Sequence, residues 1–179
     1  MISEFIKREY KISKLLICLS GQHEMTEDFT GYRNFFTLNF IKKPIYNAHI
    51  MASRLHDGLL SFECENENLS VVPTRDEEGN YAVLLSYSDE YFDDNIKTLP
   101  ERISFEEELV GKTVTVWRID GETTNPYRLY QRLGLGELSS DDIALLRKEG
   151  EMKPVRGEIM NGDIELKFAP NSTYLITVS

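Results

Sequence analysis

A short polar loop holds the acidic side chains best placed to do chemistry. Glu24, Glu27 and Asp28 lie in residues 21–31, directly after the apolar run at 15–19. Enzymes that cleave sugars use two positioned carboxyl groups, one as acid and one as nucleophile or base. Barrel enzymes place such groups in the loops that follow their strands. A solvated acidic loop is the commoner explanation of such a cluster, so its composition alone identifies no catalytic pair.

Histidine offers a second kind of chemistry. His23 is next to Glu24, and a carboxyl–imidazole pair can transfer protons near neutral pH. His49 and His56 fall in a predicted helix and have no metal-ligand spacing to His23. The two cysteines form no CxxC pair, and the chain has no GxSxG, GxGxxG or phosphate-loop motif. We therefore expect no metal and no cofactor.

An aromatic ring could also stack on a sugar. Trp117 lies in the β-type run 113–119, and Tyr127 and Tyr130 follow it. A lone tryptophan in a strand more often belongs to the core, so these rings alone do not indicate a binding site.

The charge balance excludes two classes of partner. The 179-residue chain has 30 acidic and 20 basic side chains, a formal net charge of −10. Nucleic acids and anionic membrane surfaces attract basic patches, so we expect neither as a partner. The acidity favours solubility. Isolated cysteines, and the lack of any apolar run near the roughly 20 residues of a membrane span, favour a reduced, cytoplasmic protein.

The elements that must position these side chains change in character at Gly58. Before it, a buried strand is predicted at 14–20, and an amphipathic helix at 44–56 that Pro44 opens and Gly58 ends. After it, short β-type runs alternate with turn signals. The predicted strands are 59–64, 68–73, 81–87, 102–109, 113–119, 164–169 and 172–178.

Two helical inserts interrupt these strands. Asn125-Pro126 opens the first, which Gly134 ends, and Ser139 or Ser140 caps the second. Many short strands with frequent turns predict a mainly β chain: an antiparallel β-sandwich with two short helical inserts, preceded by a strand-loop-helix unit. The predicted domains are 1–57 and 58–179.

Several runs, in order along the chain, resemble one family. Residues 31–48, GYRNFFTLNFIKKPIYNA, resemble the segment of family 39 glycoside hydrolases (β-xylosidases and relatives) that enters the last helix of their barrel. Later stretches resemble the rest of that region: VWRID, TNPY and YQRLG within 116–134, then 138–154, then the closing strand at 170–176. The resemblance covers about residue 14 to the end.

The resemblance implies an architecture and a role. Residues 14–20 would be the final strand of a (β/α)8 barrel, 21–41 its active-site-side loop, 44–56 its last helix and 59–179 the accessory β-sandwich. The family's acid/base and nucleophile come from motifs upstream of this region, and this sequence contains neither motif. The implied role is non-catalytic: to support a sugar-cleaving barrel that this chain lacks. A β-xyloside or related saccharide would be the ligand of the complete protein.

The same resemblance selects the candidate substrate contacts. Gln22, His23 and Glu24 fall near the position from which the family's last barrel strand contacts the sugar. The family usually carries a tryptophan on that strand, and this sequence has none there. No catalytic residue is assigned.

Two other functions stay open. Similar barrel-plus-sandwich regions occur behind AraC-like DNA-binding domains, where they would sense sugars, and a free-standing carbohydrate-binding module is the other alternative. The faces of residues 14–56 that a barrel would cover also suggest a homo-oligomer.

Overall fold

A computed structural model describes residues 23–31, 34–88, 97–105, 109–160 and 162–179. The predicted strand at 14–20 and the candidate residue Gln22 lie outside these ranges. Within them, no helix combines the length and the apolarity needed to cross a bilayer.

Helices and strands follow one another with short connections. In chain order they are α1 (Pro44–Ala52), β1 (Gly58–Leu59), β2 (Leu69–Arg75), β3 (Tyr81–Tyr87), β4 (Leu99–Ile103), β5 (Thr113–Ile119), α2 (Pro126–Leu133), α3 (Ser140–Glu149), β6 (Pro154–Ile159), β7 (Ile164–Phe168) and β8 (Ser172–Val178).

The strands form two antiparallel sheets. Six of them make one sheet in the order β1-β2-β3-β8-β5-β6, and β4 pairs with β7 in the other. Side chains alternate between the faces of a strand, so in β3 Tyr81, Val83 and Leu85 face one way and Ala82 and Leu84 the other. All five are buried. The large sheet is therefore covered on both faces at its centre.

The β4–β7 pair covers the first face. Ile164 and Phe168 of β7 are buried in one cluster with strand residues of the large sheet, and Leu99 and Ile103 of β4 pack against that cluster. The Phe168 ring meets the Tyr174 ring edge-on, with 4.6 Å between centroids. This packing of sheet on sheet confirms the predicted antiparallel β-sandwich.

Helix α1 covers the second face. Its Met51 is fully buried against Val72, Leu84 and Leu175 of the large sheet, and Ala48 and Ala52 pack beside it. Complete burial of one such side chain contributes about 1.5–3 kcal/mol. The helix that resembles a barrel's last helix is thus also packed on the sandwich.

Helix α1 ends earlier than predicted. We expected it to continue to residue 56, but it stops at Ala52. The backbone N–H of His56 donates to the Thr74 hydroxyl at 2.9 Å, so the chain has already turned toward the large sheet. Gly58 serves a different purpose from the predicted helix stop. A Cβ there would lie 2.6 Å from the Arg75 carbonyl oxygen, so glycine allows β1 to approach β2.

The predicted strand at 59–64 was wrong beyond Leu59. The Leu60 N–H donates to the Pro73 carbonyl at 3.0 Å, but Pro73 has no N–H to return the bond. The ladder between β1 and β2 therefore ends at this proline.

Two further strand assignments differ from the sequence prediction. The strand predicted at 102–109 is β4, which begins at Leu99 and ends at Ile103. Strand β6 was not predicted, because Pro154 and Gly157 are weak strand formers and five of its six residues are exposed.

Both helical inserts begin where predicted, and the first also ends at the predicted glycine. Gly134 ends α2 with a left-handed φ of 61°. Ser139 caps α3 through a reciprocal box in which its side chain accepts from the Asp142 N–H and the Asp142 carboxylate accepts from the Ser139 N–H.

Candidate functional site

Glu24 is enclosed by its own loop. Its side chain is fully buried, and one carboxylate oxygen accepts a hydrogen bond from Lys43 Nζ at 2.9 Å. The other oxygen accepts from the Phe29 N–H at 2.6 Å, which closes a tight loop whose end at Phe29 has a left-handed φ of 62°. The Glu24 N–H donates to the Phe36 carbonyl at 3.1 Å. Both oxygens of the candidate carboxylate are thus committed to partners within the chain.

His23 lies beside an exposed aromatic ring. Its imidazole stacks on Phe40, with 5.1 Å between centroids and 24° between planes. Its carbonyl accepts from the Asn34 side-chain amide at 2.8 Å. Phe40 is 58% exposed, so the pair presents a partly open aromatic surface.

More rings extend this surface inward. Phe36 links the exposed Phe40 to Tyr46 of α1, at 6.4 Å and 4.9 Å between centroids. Phe35 packs edge-on against both Tyr46 and His49. The loop is therefore held to α1 by aromatic packing as well as by the Glu24–Lys43 ion pair.

A polar chain connects the loop to the second helical insert. The Asp28 carboxylate accepts from the backbone N–H and the side-chain amide of Asn39, at 2.9 Å and 2.6 Å. The Asn39 carbonyl in turn accepts two hydrogen bonds from the Arg147 guanidinium of α3, at 3.1 Å and 2.7 Å.

The end of α3 touches the start of α1 closely. The Asn47 side-chain amide donates to the Gly150 carbonyl at 2.8 Å in a buried position. A Cβ on Gly150 would lie 2.8 Å from the Lys42 carbonyl oxygen. Lys42 also forms an ion pair with Glu151 at 2.6 Å.

The first insert contacts the same loop through aromatic rings. Phe29 lies 5.5 Å from Tyr127 and 5.0 Å from Tyr130, measured between centroids. Tyr127 and Tyr130 stack on each other at 6.3 Å. The sequence suggested that these rings could stack on a sugar, but in the structure they pack partly against the loop.

Trp117 also has a neighbour over its ring. The Arg54 guanidinium lies 4.7 Å from the ring centroid, a cation–π arrangement. The indole also packs against the cluster beneath α1. These contacts agree with the interpretation that Trp117 packs against the core and does not stack on a sugar.

The structure brings two of the three candidate substrate contacts together. His23 and Glu24 share one short segment beside Lys43 and Phe40, while Gln22 lies outside the described residues. Their role in sugar binding stays a prediction. Across the described ranges, no group of three His, Cys, Asp or Glu side chains is arranged to hold a metal.

The partners of this loop could not be found from the sequence. Lys43 follows its partner Glu24 by 19 positions, and Arg147 follows Asn39 by 108. Neither separation fits a helical or strand repeat. Asp28 did carry a local signal, because an aspartate in a loop commonly accepts hydrogen bonds from backbone N–H groups.

No protein-family description and no curated protein matches the sequence. Solved structures do match the fold: a GH39 β-xylosidase from Caulobacter crescentus has a TM-score of 0.69 at 17% identity, over 87% of this chain and 32% of its own.

Two further structures agree with this match. A monomeric β-xylosidase, also from Caulobacter crescentus, has a TM-score of 0.71 at 17% identity, over 87% of this chain and 34% of its own. The GH39 enzyme from Xanthomonas axonopodis pv. citri has a TM-score of 0.67 at 15% identity, over 86% and 33%. This chain therefore has the fold of one part of these glycoside hydrolases and spans about a third of their length.

Proposed function

We propose that this chain is the non-catalytic accessory portion of a family 39 glycoside hydrolase-like protein and supports a sugar-cleaving barrel. One observation carries the proposal: the loop segments 23–31 and 34–43, together with α1, are attached both to the large sheet and to the helical inserts. A barrel joined to the start of this unit would be held in a fixed orientation by the sandwich.

Two sets of contacts support that role. Met51 of α1 is buried on the second face of the large sheet. Arg147 and Gly150, at the end of α3, bond to the loop and to α1 through Asn39 and Asn47. The unit is thus attached on two sides, as a rigid support requires.

Cleavage of the glycosidic bond would then be carried out by the complete protein. Glycoside hydrolysis needs an acid and a nucleophile or base on opposite sides of the bond to be cleaved. Glu24 is the candidate carboxylate of this chain, and Lys43 and the Phe29 N–H already occupy its oxygens. In the complete protein, Gln22 and His23 would contact a β-xyloside or related saccharide, and the buried Glu24 would hold this contact segment in place through Lys43 and Phe29.

Hydrolysis of an aryl β-xyloside tests the proposal directly. We expect no turnover by this chain. Turnover that is lost in Glu24→Gln and kept in Glu27→Gln, a change at an exposed neighbour in the same loop, would overturn it.

Two further measurements separate the alternatives. Calorimetric titration with xylose should give weak or no binding, whereas micromolar affinity would favour a carbohydrate-binding module.

If the complete protein is an enzyme, the reading frame upstream of Met1 should encode an Asn-Glu-Pro motif. A helix-turn-helix there would instead favour the AraC-like regulator.

A further inference from the structure

Strand β6 lies at one edge of the large sheet. It pairs with β5 on its inner side, and among the described residues no strand pairs with its outer side. Val155 is 47% exposed and Ile159 63%. An exposed edge with apolar side chains is a site where another strand can add.

The backbone of β6 presents hydrogen-bonding groups to that open side. The Met160 N–H donates to the Lys112 carbonyl at 2.7 Å, on the β5 side, while Thr113 exchanges both of its backbone bonds with Ser179. Bonding alternates along an antiparallel ladder, and Ile159 is the register partner of Thr113. The N–H and C=O groups of Ile159 and Gly157 therefore point away from β5.

The sequence of this edge is complementary to itself. We propose that β6 of a second copy of this chain pairs antiparallel with β6 about a two-fold axis at Gly157. Arg156 then lies opposite Glu158 of the second copy. Val155 is the extra residue where β6 shifts register against β5, and in the dimer it would pack near Ile159 of the second copy. Opposite charges and apolar pairs are the cross-strand combinations that stabilise a sheet.

Electrostatics selects this register over its neighbours. Outward-pointing backbone groups can face one another only if the register shifts by two residues at a time. One such shift places Arg156 opposite Arg156 of the second copy, and the other places Glu158 opposite Glu158. Like charges directly opposite are destabilising, so the register centred on Gly157 is favoured.

The side chains are already on the face that this pairing needs. Arg156 and Glu158 oppose Val116 and Val114 in the ladder and share their face of the sheet. Arg156 bonds to Glu158 of its own strand and to the Glu165 carbonyl at 2.8 Å. A second carboxylate from the partner strand would add to this ion pair and create a charge network across the axis.

Sedimentation equilibrium on the full chain tests the proposal. We expect a dimer, weakened about tenfold by Glu158→Arg because the two-fold axis applies each like-charge contact twice. Arg156→Glu combined with Glu158→Arg should restore the dimer. Glu137→Arg, the same charge change at an exposed site off this edge, should leave it unaltered.

A further variant guards against misfolding of the charge variants. Ile159→Lys should weaken the dimer without touching Arg156, and circular dichroism checks that each variant keeps its sheet. A monomer at every concentration, a dimer insensitive to Glu158→Arg, or one that the double reversal fails to restore would overturn the proposal. A dimer that uses the faces of residues 14–56 would give the second of these results.

Discussion

The Arg147 guanidinium donates two hydrogen bonds to the Asn39 carbonyl, across 108 positions of sequence. Arg147 is in the last turn of α3, and Asn39 is in the loop that precedes α1. Asn39 also donates two hydrogen bonds to the Asp28 carboxylate, so this one arginine stabilises the two parts of the loop around residues 28 and 39. The insert that interrupts the sandwich therefore shapes the segment that carries His23 and Glu24.

Removal of this arginine should loosen the loop without unfolding the chain. In Arg147→Ala we expect the Phe40 amide to exchange its hydrogen roughly tenfold faster. The Asn39 carbonyl that Arg147 binds and the Phe40 N–H belong to one peptide unit, so loss of the arginine frees that unit and weakens the hydrogen bond from Phe40 to the Thr37 carbonyl. Hydrogen exchange followed by NMR measures this. Lys148→Ala, at the next exposed basic residue of α3, is the control and should leave the rate unchanged. Equal rates in both variants would refute the coupling.

The buried ion pair should contribute strongly when one member is removed. Lys43→Met leaves the Glu24 carboxylate enclosed without its cation, which should lower the free energy of unfolding by about 3–5 kcal/mol. The double change Glu24→Gln and Lys43→Met should lose less than the single one. Urea denaturation gives both values.

An exposed ion pair supplies the matched control. Arg128 and Glu122 lie 2.8 Å apart with more than half of each side chain exposed. Arg128→Met should therefore cost less than about 1 kcal/mol. A comparable loss at Lys43 and at Arg128 would contradict a special role for the buried pair.

Gly150 should not tolerate a methyl group. Its φ of −72° is open to any residue, so the obstacle is the approach of the Lys42 carbonyl. We expect Gly150→Ala to destabilise the protein by about 1–3 kcal/mol. Gly136→Ala, where a Cβ meets no described atom within 4 Å, should change stability by no more than about 1 kcal/mol. Thermal unfolding of the two variants distinguishes them.

The cap of α3 predicts a pH dependence. Hydrogen bonds from the Ser139 side chain and backbone hold the pKa of Asp142 below its ordinary value of 3.8. Because the folded pKa is the lower one, the carboxylate stabilises the fold above the unfolded value, and this stabilisation is lost as pH falls through the folded pKa. The melting temperatures of the natural chain and of Asp142→Ala should therefore differ at neutral pH and converge in acid. A difference that persists in strong acid would exclude this cap as its source.

The sequence predicted elements whose signals are local. Strands 81–87 and 113–119 have the predicted bounds. The first is an apolar run buried on both faces, and the second alternates buried residues such as Val114 and Val116 with more exposed ones. Gly134 and Ser139 fixed the limits of the inserts through backbone conformation and capping chemistry. Such signals need only a few neighbouring residues.

Features set by distant partners were missed. Leu60 leaves β1 because Pro73 cannot return a hydrogen bond, and β6 forms because β5 offers it an edge. The candidate site shows the same limit. Glu24 was predicted as a possible substrate contact. Its ion-pair partner Lys43 was not predicted, because no residue near Lys43 in the sequence indicates the pair.

Strand β8 follows all the other strands in the sequence but lies between β3 and β5 in the large sheet. During synthesis, β3 and β5 emerge from the ribosome without the neighbour that joins them. The two halves of the sheet can then meet only when residues 172–178 arrive, so assembly depends on a late, long-range step. Until then, the flanks of β3 and β5 are open to incorrect pairing, and a nascent chain arrested before β8 is the species that chaperones should recognise.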